Sequence, residues 1–364
     1  MRVYLFHILA SFASLLLLVG CDVHEFPQES EGSVELLLHL EFDTEMPLYK
    51  TISYTRKDDS ESSVTTSYEH DVRYIIKAYR TDNVVGENRI ADTTFIFTRP
   101  KSAVLDNDFT IELKEGRYDI RVWTDYVSRG SDKDKYYNTS NFAEVILINR
   151  HNHSGNNDHR DAFNGEITVD TRSTTTQSGY DTGATIEATI AMSRPMGKYM
   201  FVATDGEAFV SRVAQMLYEQ EKISPNGGRS YEQILQSIDL SQFKVILRYN
   251  NFMPCSFNMF TNKCADAWTG VSFPSRMAVA EEISELSLGY DYIFVGNNET
   301  TLNISIDVYD KHGVLLCASK PINVPIARSK LTIVKGSLLS SSTSSGNGAA
   351  IDPGYDGDDY NIEI

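Results

Sequence analysis

Between residues 33 and 170, apolar residues recur in short alternating runs about ten residues apart, with no helix-length pattern between them. That spacing limits the fold more than any other feature of the chain. In the run 72–79, Val72, Tyr74, Ile76 and Ala78 alternate with Arg73, Ile75, Lys77 and Tyr79. A strand places the two sets on opposite faces, and the Arg and Lys on one of them predict a sheet with a single buried side. Further strands are expected at 34–42, 50–55, 93–98, 109–113, 117–126, 143–147 and 163–169, with Gly116 available for the turn before 117. So many short strands without crossover helices predict a β-sandwich rather than a parallel sheet.

The stretch 171–183 is polar, carries Thr174, Thr175 and Thr176 with Gly179 and Gly183, and has no apolar face to bury. It reads as a linker. Beyond it, strands are expected at 185–192, 198–204, 243–249, 291–295, 302–309, 314–319 and 331–338. One interruption has helical spacing: Phe209, Val213, Met216 and Leu217 share a face over 207–222, and a shorter helix is expected at 231–238. The expected organisation is all-β with a minor helical insertion near 207–238, in two tandem β-sandwich domains at 34–170 and 184–339. A chain of this length exceeds one ordinary core. Two echoes suggest copies of one plan: a proline after the opening strand of each half, Pro47 and Pro195, and Gly116-Arg117-Tyr118-Asp119 set against Gly289-Tyr290-Asp291.

At the N-terminus, Arg2 supplies a positive charge, an apolar stretch follows over 5–19, and Leu18-Val19-Gly20-Cys21 closes it. This pattern predicts a lipoprotein signal peptide over 1–20 and lipid attachment at Cys21. The apolar stretch is shorter than the roughly twenty residues a membrane span needs. The alternative is an ordinary secretory signal followed by a chance cysteine. Residues 21–33, with Glu25, Glu29 and Glu31, read as an acidic tether. The net charge is −17, and removing 1–20 takes away one Arg and no acid, giving −18. Such a surface repels nucleic acid and anionic headgroups and so argues against both as partners.

Three cysteines remain, Cys255, Cys264 and Cys317, and an odd number rules out a fully paired framework. Cys255 and Cys264 flank the loop-like run 256–263, so they either pair in an oxidising periplasm or serve as two small core residues. His151, His153 and His159 cluster near Asp158 and have the residue types of a metal site. They lie in a Gly/Asn-rich stretch with no regular element to hold the rings, so the cluster reads as a solvated loop. Asp352, Asp356, Asp358 and Asp359 lack the alternate spacing of a calcium loop. With no Gly-x-Ser-x-Gly, phosphate-cradling loop or His-Glu-x-x-His, no catalytic residue, metal or cofactor is assigned. Trp123 reads as a core residue, whereas Trp268 either packs or offers a stacking platform for a sugar ring.

The C-terminus carries most of the functional expectation. A Ser/Gly-rich run over 340–348 has no means of forming a core, and the chain then ends in the alternating Tyr360, Asn361, Ile362, Glu363 and Ile364. A flexible tether followed by a strand is what a β-augmenting segment needs. Equally, that strand can fold back onto its own sandwich.

The Cys21 lipobox, Gly116-Arg117-Tyr118-Asp119-Ile120-Arg121-Val122-Trp123-Thr124-Asp125-Tyr126, Met192-Ser193-Arg194-Pro195-Met196-Gly197-Lys198-Tyr199 and the terminal Asp359-Tyr360-Asn361-Ile362-Glu363-Ile364 together resemble the fimbrillin-like lipoproteins of Bacteroidetes, a family of fimbrial subunits and anchors. The resemblance implies two transthyretin-like β-sandwiches, lipidation at the outer membrane, and assembly with fimbrial subunits or other surface proteins by strand exchange. The helical insertion and the acidic tail have no place in that general pattern. The leading expectation is a lipid-anchored, surface-exposed fimbrial subunit, anchor or accessory protein with a structural or adhesive role and no enzymatic one. The alternative is a glycan-binding lipoprotein of a polysaccharide-uptake surface.

Overall fold

A computed structural model describes residues 33–43, 70–81, 90–100, 107–174, 185–223, 228–279, 285–296, 299–340, 350–351 and 359–363. Cys21, the signal peptide, nearly all of the tether, Pro47, the strand expected at 50–55 and Ile364 lie outside them.

Among the described residues the protein is mostly β, with one helical insertion. In chain order its first strands are β1 (Ser33–Phe42), β2 (His70–Arg80), β3 (Thr93–Pro100), β4 (Asp108–Lys114), β5 (Arg117–Ser128), β6 (Tyr137–Asn138), β7 (Val145–Leu147), β8 (Phe163–Asp170) and β9 (Thr185–Met192). One sheet has the order β4-β1-β9, with β1 antiparallel to β4 and parallel to β9. The facing sheet, β3-β2-β5-β8, is antiparallel throughout. Alternation in β1 turns Leu36, Leu38 and Leu40 inward, where they meet Val72, Tyr74 and Ile76 of β2 and Tyr118, Ile120 and Val122 of β5.

The later strands are β10 (Met196–Ala203), β11 (Lys244–Tyr249), β12 (Phe252–Pro254), β13 (Ser256–Asn258), β14 (Lys263–Cys264), β15 (Ala267–Thr269), β16 (Ser272–Arg276), β17 (Ala278–Val279), β18 (Leu286–Phe294), β19 (Glu299–Tyr309), β20 (Leu315–Ala318), β21 (Ile322–Ala327), β22 (Leu331–Gly336), β23 (Ala350–Ile351) and β24 (Asp359–Glu363). Here β10 lies between antiparallel β18 and parallel β22, as β1 lies between β4 and β9. Opposite it, the order β16-β11-β19-β21 repeats β3-β2-β5-β8. The same seven-strand plan therefore occurs twice, in the same chain order.

This topology corrects the expected boundary. The strand at 185–192, read as the opening of the second half, is the closing strand of the first: it pairs with β1 from Glu35↔Thr185 to Phe42↔Met192 and buries Ile190 and Met192 in the first core. The units change over at 193–195 rather than at 171–183, where 171–174 form a short 3-10 turn. An alternating strand fits any half-buried place in a sheet, so its composition does not name its partner. The quoted echoes do not correspond either. Gly116 falls between β4 and β5, Gly289 lies inside β18 at φ 140°, and Pro195 precedes β10.

The helices Gly206–Lys222 and Tyr231–Gln236 fill the connection between β10 and β11 and bury Phe209, Val213 and Ile234. The second opens with a capping box between Ser230 and Gln233. A second correction concerns β2, which has two buried faces rather than one. The face bearing Arg73, Ile75, Lys77 and Tyr79 is covered by the long excursion 129–162 between β5 and β8.

Candidate functional site

The C-terminal strand occupies a definite place. β22 pairs on one side with β10, from Lys198↔Leu331 to Ala203↔Gly336, and on the other with β24, from Leu331↔Asp359 to Lys335↔Glu363, both in parallel. β23 then adds antiparallel to β24 through Ala350↔Glu363 and Ile351↔Ile362. β24 thus runs in the same direction as β22, an arrangement that a tight turn cannot make. Of the two fates open to the terminal segment, this structure has it folded back in cis. Tyr360, Asn361, Ile362 and Glu363 stand opposite Thr332, Ile333, Val334 and Lys335.

The root of that connection is fixed by the helical insertion. Asp205, just before the first helix, accepts the Leu339 backbone N–H at 3.1 Å and the Ser340 hydroxyl at 2.7 Å. Arg212, one helical stretch later, donates to the Leu339 carbonyl at 2.8 Å. Leu338 and Leu339 are buried beside this anchor. The chain is thus held up to Ser340 and continues into the Ser/Gly-rich run from a defined point.

The other residues singled out in the sequence do not join this site. Cys255, Cys264 and Cys317 are free thiols. The proposed Cys255–Cys264 bridge is not formed because Cys264 faces Phe257, while the Cys255 N–H bonds the carbonyl of Asp266. Trp268 stands opposite Met253 and is 8% exposed, so its ring packs and offers no open face to a sugar.

The histidines separate. His151 is exposed, His159 stacks on His70 with ring centroids 3.7 Å apart, and His153 is buried with Nε2 2.7 Å from Asp291 Oδ2. Burial would raise the Asp291 carboxyl, but Arg160, then His153 and Tyr249, hold it below the ordinary carboxylate value. Sequence reasoning missed this cluster because its members lie far apart in the chain. The buried Lys198, with its ammonium 2.9 Å from Asp158 and over the Tyr290 ring, was missed for the same reason. Among the described residues, no helix is long and apolar enough to cross a membrane.

The chain is similar in structure to the fimbrial anchor protein Mfa2 from Porphyromonas gingivalis, at 12% identity over 79% of this chain and 82% of that one, with a TM-score of 0.37. It is also similar to a candidate adhesin from Bacteroides thetaiotaomicron, at 13% identity over 79% and 80% of the two chains, TM-score 0.40. A candidate polysaccharide-binding protein from the same species follows at 11% identity over 78% and 79%, TM-score 0.38. Comparison with curated proteins finds no match. A family model matches residues 28–364, the whole described body included, and by that match the chain belongs to DUF6562, a family of unknown function.

Proposed function

We propose that this protein is a structural component of a fimbria-like surface assembly, held by lipid on Cys21 at the outer membrane and joined to neighbouring subunits by β-strand pairing through its C-terminal strand. The observation that carries this reading is the parallel register of β24 on the outer edge of β22, reached through a Ser/Gly-rich connection rooted at Ser340. Main-chain bonds along a sheet edge accept the same strand from another chain as readily as from their own. A short strand at the end of a long connection is retained mainly by its high local concentration, which a neighbour in an ordered array can match. The lipobox supplies the other attachment. Acyl chains contribute about 0.8 kcal/mol per buried methylene, and two chains suffice for stable anchoring.

Deleting residues 359–364 tests the pairing. The truncated protein should keep the thermal transition of the full chain and lose its place in surface polymers isolated from the native cell. Polymers that incorporate the truncated chain at the full-length level would overturn the strand-exchange reading. Separately, Cys21→Ala should move the protein out of the outer-membrane fraction; retention there would remove the lipid from the proposal.

A further inference from the structure

Residues 129–162 leave the first unit between β5 and β8 and do not pack on that unit alone. β7 pairs with β13 of the second unit through Val145↔Phe257 and Ile146↔Ser256, so excursions from both units share the sheet β14-β13-β7-β6. Tyr137, Phe142, Val145 and Leu147 are buried in the second core. Apolar contact of this kind is non-directional and does not by itself fix one docking position.

Buried charges supply the direction, at both ends of the excursion. At its root, Arg73 of β2 donates to the Asp134 carboxylate at 2.8 Å and the Asp132 carbonyl at 2.9 Å. Lys77, four residues on, donates to the carbonyls of Thr139 at 3.0 Å and Ser140 at 2.8 Å. At its far end, Asp291 of β18 receives His153 at 2.7 Å and the Arg160 guanidinium from the excursion, together with the Tyr249 hydroxyl of β11 at 2.6 Å. Asp158 and Asp161 of the excursion take Lys198 at 2.9 Å and Arg194 at 2.9 Å. His153, Arg160, Asp161, Arg194, Lys198 and Asp291 are all buried.

We infer that residues 129–162 are a latch that locks the two seven-strand units into one hinge-free cooperative body, with Asp291 as its pin. A buried carboxylate held by two side chains of the excursion and one of β11 has no second arrangement of equal energy. Partial opening would leave Arg160 and Asp291 uncompensated away from water. The inference does not depend on the proposed role of the C-terminal strand, and strand-exchange results leave it untouched.

Hydrogen–deuterium exchange of the full chain in mild denaturant tests it by comparing the slowest amides of β1 and β4 with those of β11 and β19. In the wild type both sets should exchange through one shared opening. In Asp291→Asn, and independently in Arg160→Met, the two cores should open separately, their rates parting by about tenfold or more. Arg248→Met, which removes an ion pair to Asp307 and a hydrogen bond to the Tyr309 hydroxyl, both within the second unit and with Arg248 nearly half exposed, should leave the cores coupled. Should Asp291→Asn fail to fold, Arg160→Met and His153→Gln carry the comparison. Separate opening in the wild type, or coupled opening in the folded latch variants, would overturn the inference.

Discussion

Arg73 on β2 and Asp125 on β5 stand directly opposite each other in the antiparallel ladder, and their side chains close a two-point ion pair with Nε–Oδ1 at 2.9 Å and Nη2–Oδ2 at 2.7 Å. Both are almost wholly removed from solvent. The Trp123 indole N–H donates to the same carboxylate at 3.1 Å, while the remaining arm of Arg73 reaches Asp134. One guanidinium thus ties the sheet to the latch that covers it.

Replacing Arg73 by Met should therefore cost more than a surface ion pair would. It leaves Asp125 buried without its counter-charge, an expected loss of about 3–5 kcal/mol. Arg73→Lys keeps the charge but not the planar fork, and should recover only part of that loss. Urea titrations of the three proteins would check the order; a wild-type midpoint for Arg73→Met would refute it.

Gly197 marks a place where backbones meet too closely for a side chain. A Cβ there would overlap the Ala327 carbonyl oxygen and lie 2.6 Å from Ile326 Cγ2. Gly197→Ala must push β10 away from β21, at an expected cost of about 1–3 kcal/mol. A melting temperature at or above that of the wild type would show that the strands can move apart freely.

Alkaline pH should unfold the protein through its buried phenols. Burial pushes Tyr137, Tyr199, Tyr249 and Tyr292 above their ordinary value of 10.0. Above that value the unfolded chain releases phenolic protons that the folded chain retains. The stability tied to these groups is thus complete below pH 10 and lost as pH rises past it. Tyrosinate absorbance from these residues should appear together with the loss of the β-sheet circular dichroism signal. Their ionisation near pH 10 in an intact fold would contradict the assignment.

The thiols should be free and slow to react. Burial pushes Cys255 up to about 12 and Cys264 up to about 11, so little thiolate exists at neutral pH. Alkylation of the denatured, unreduced protein should modify Cys255, Cys264 and Cys317 alike, and the native protein should label slowly. A Cys255–Cys264 pair that resists alkylation until reductant is added would show the bridge to exist.

The alternation of Val34 to Leu40 and of Val72 to Ala78, and the spacing of Phe209, Val213 and Leu217, were enough to place most strands and the helical insertion within a few residues. These are local properties: a strand repeats every two residues and a helix every 3.6, whatever the chain does elsewhere. What the chain alone left open is which segments meet. The strand 185–192 has the same pattern whether it opens one sandwich or closes another, and only its parallel pairing with β1 decides. Arg73 and Lys77 look like a solvated face until carbonyls and carboxylates from 132–140 cover them. His153 looks like a loop residue until Asp291, 138 positions away, takes its ring. The proposed terminal segment was legible as a strand, but its parallel place on β22 was not. Periodicity is written into neighbouring residues, whereas pairing and buried-charge compensation depend on surfaces that only the folded chain brings together.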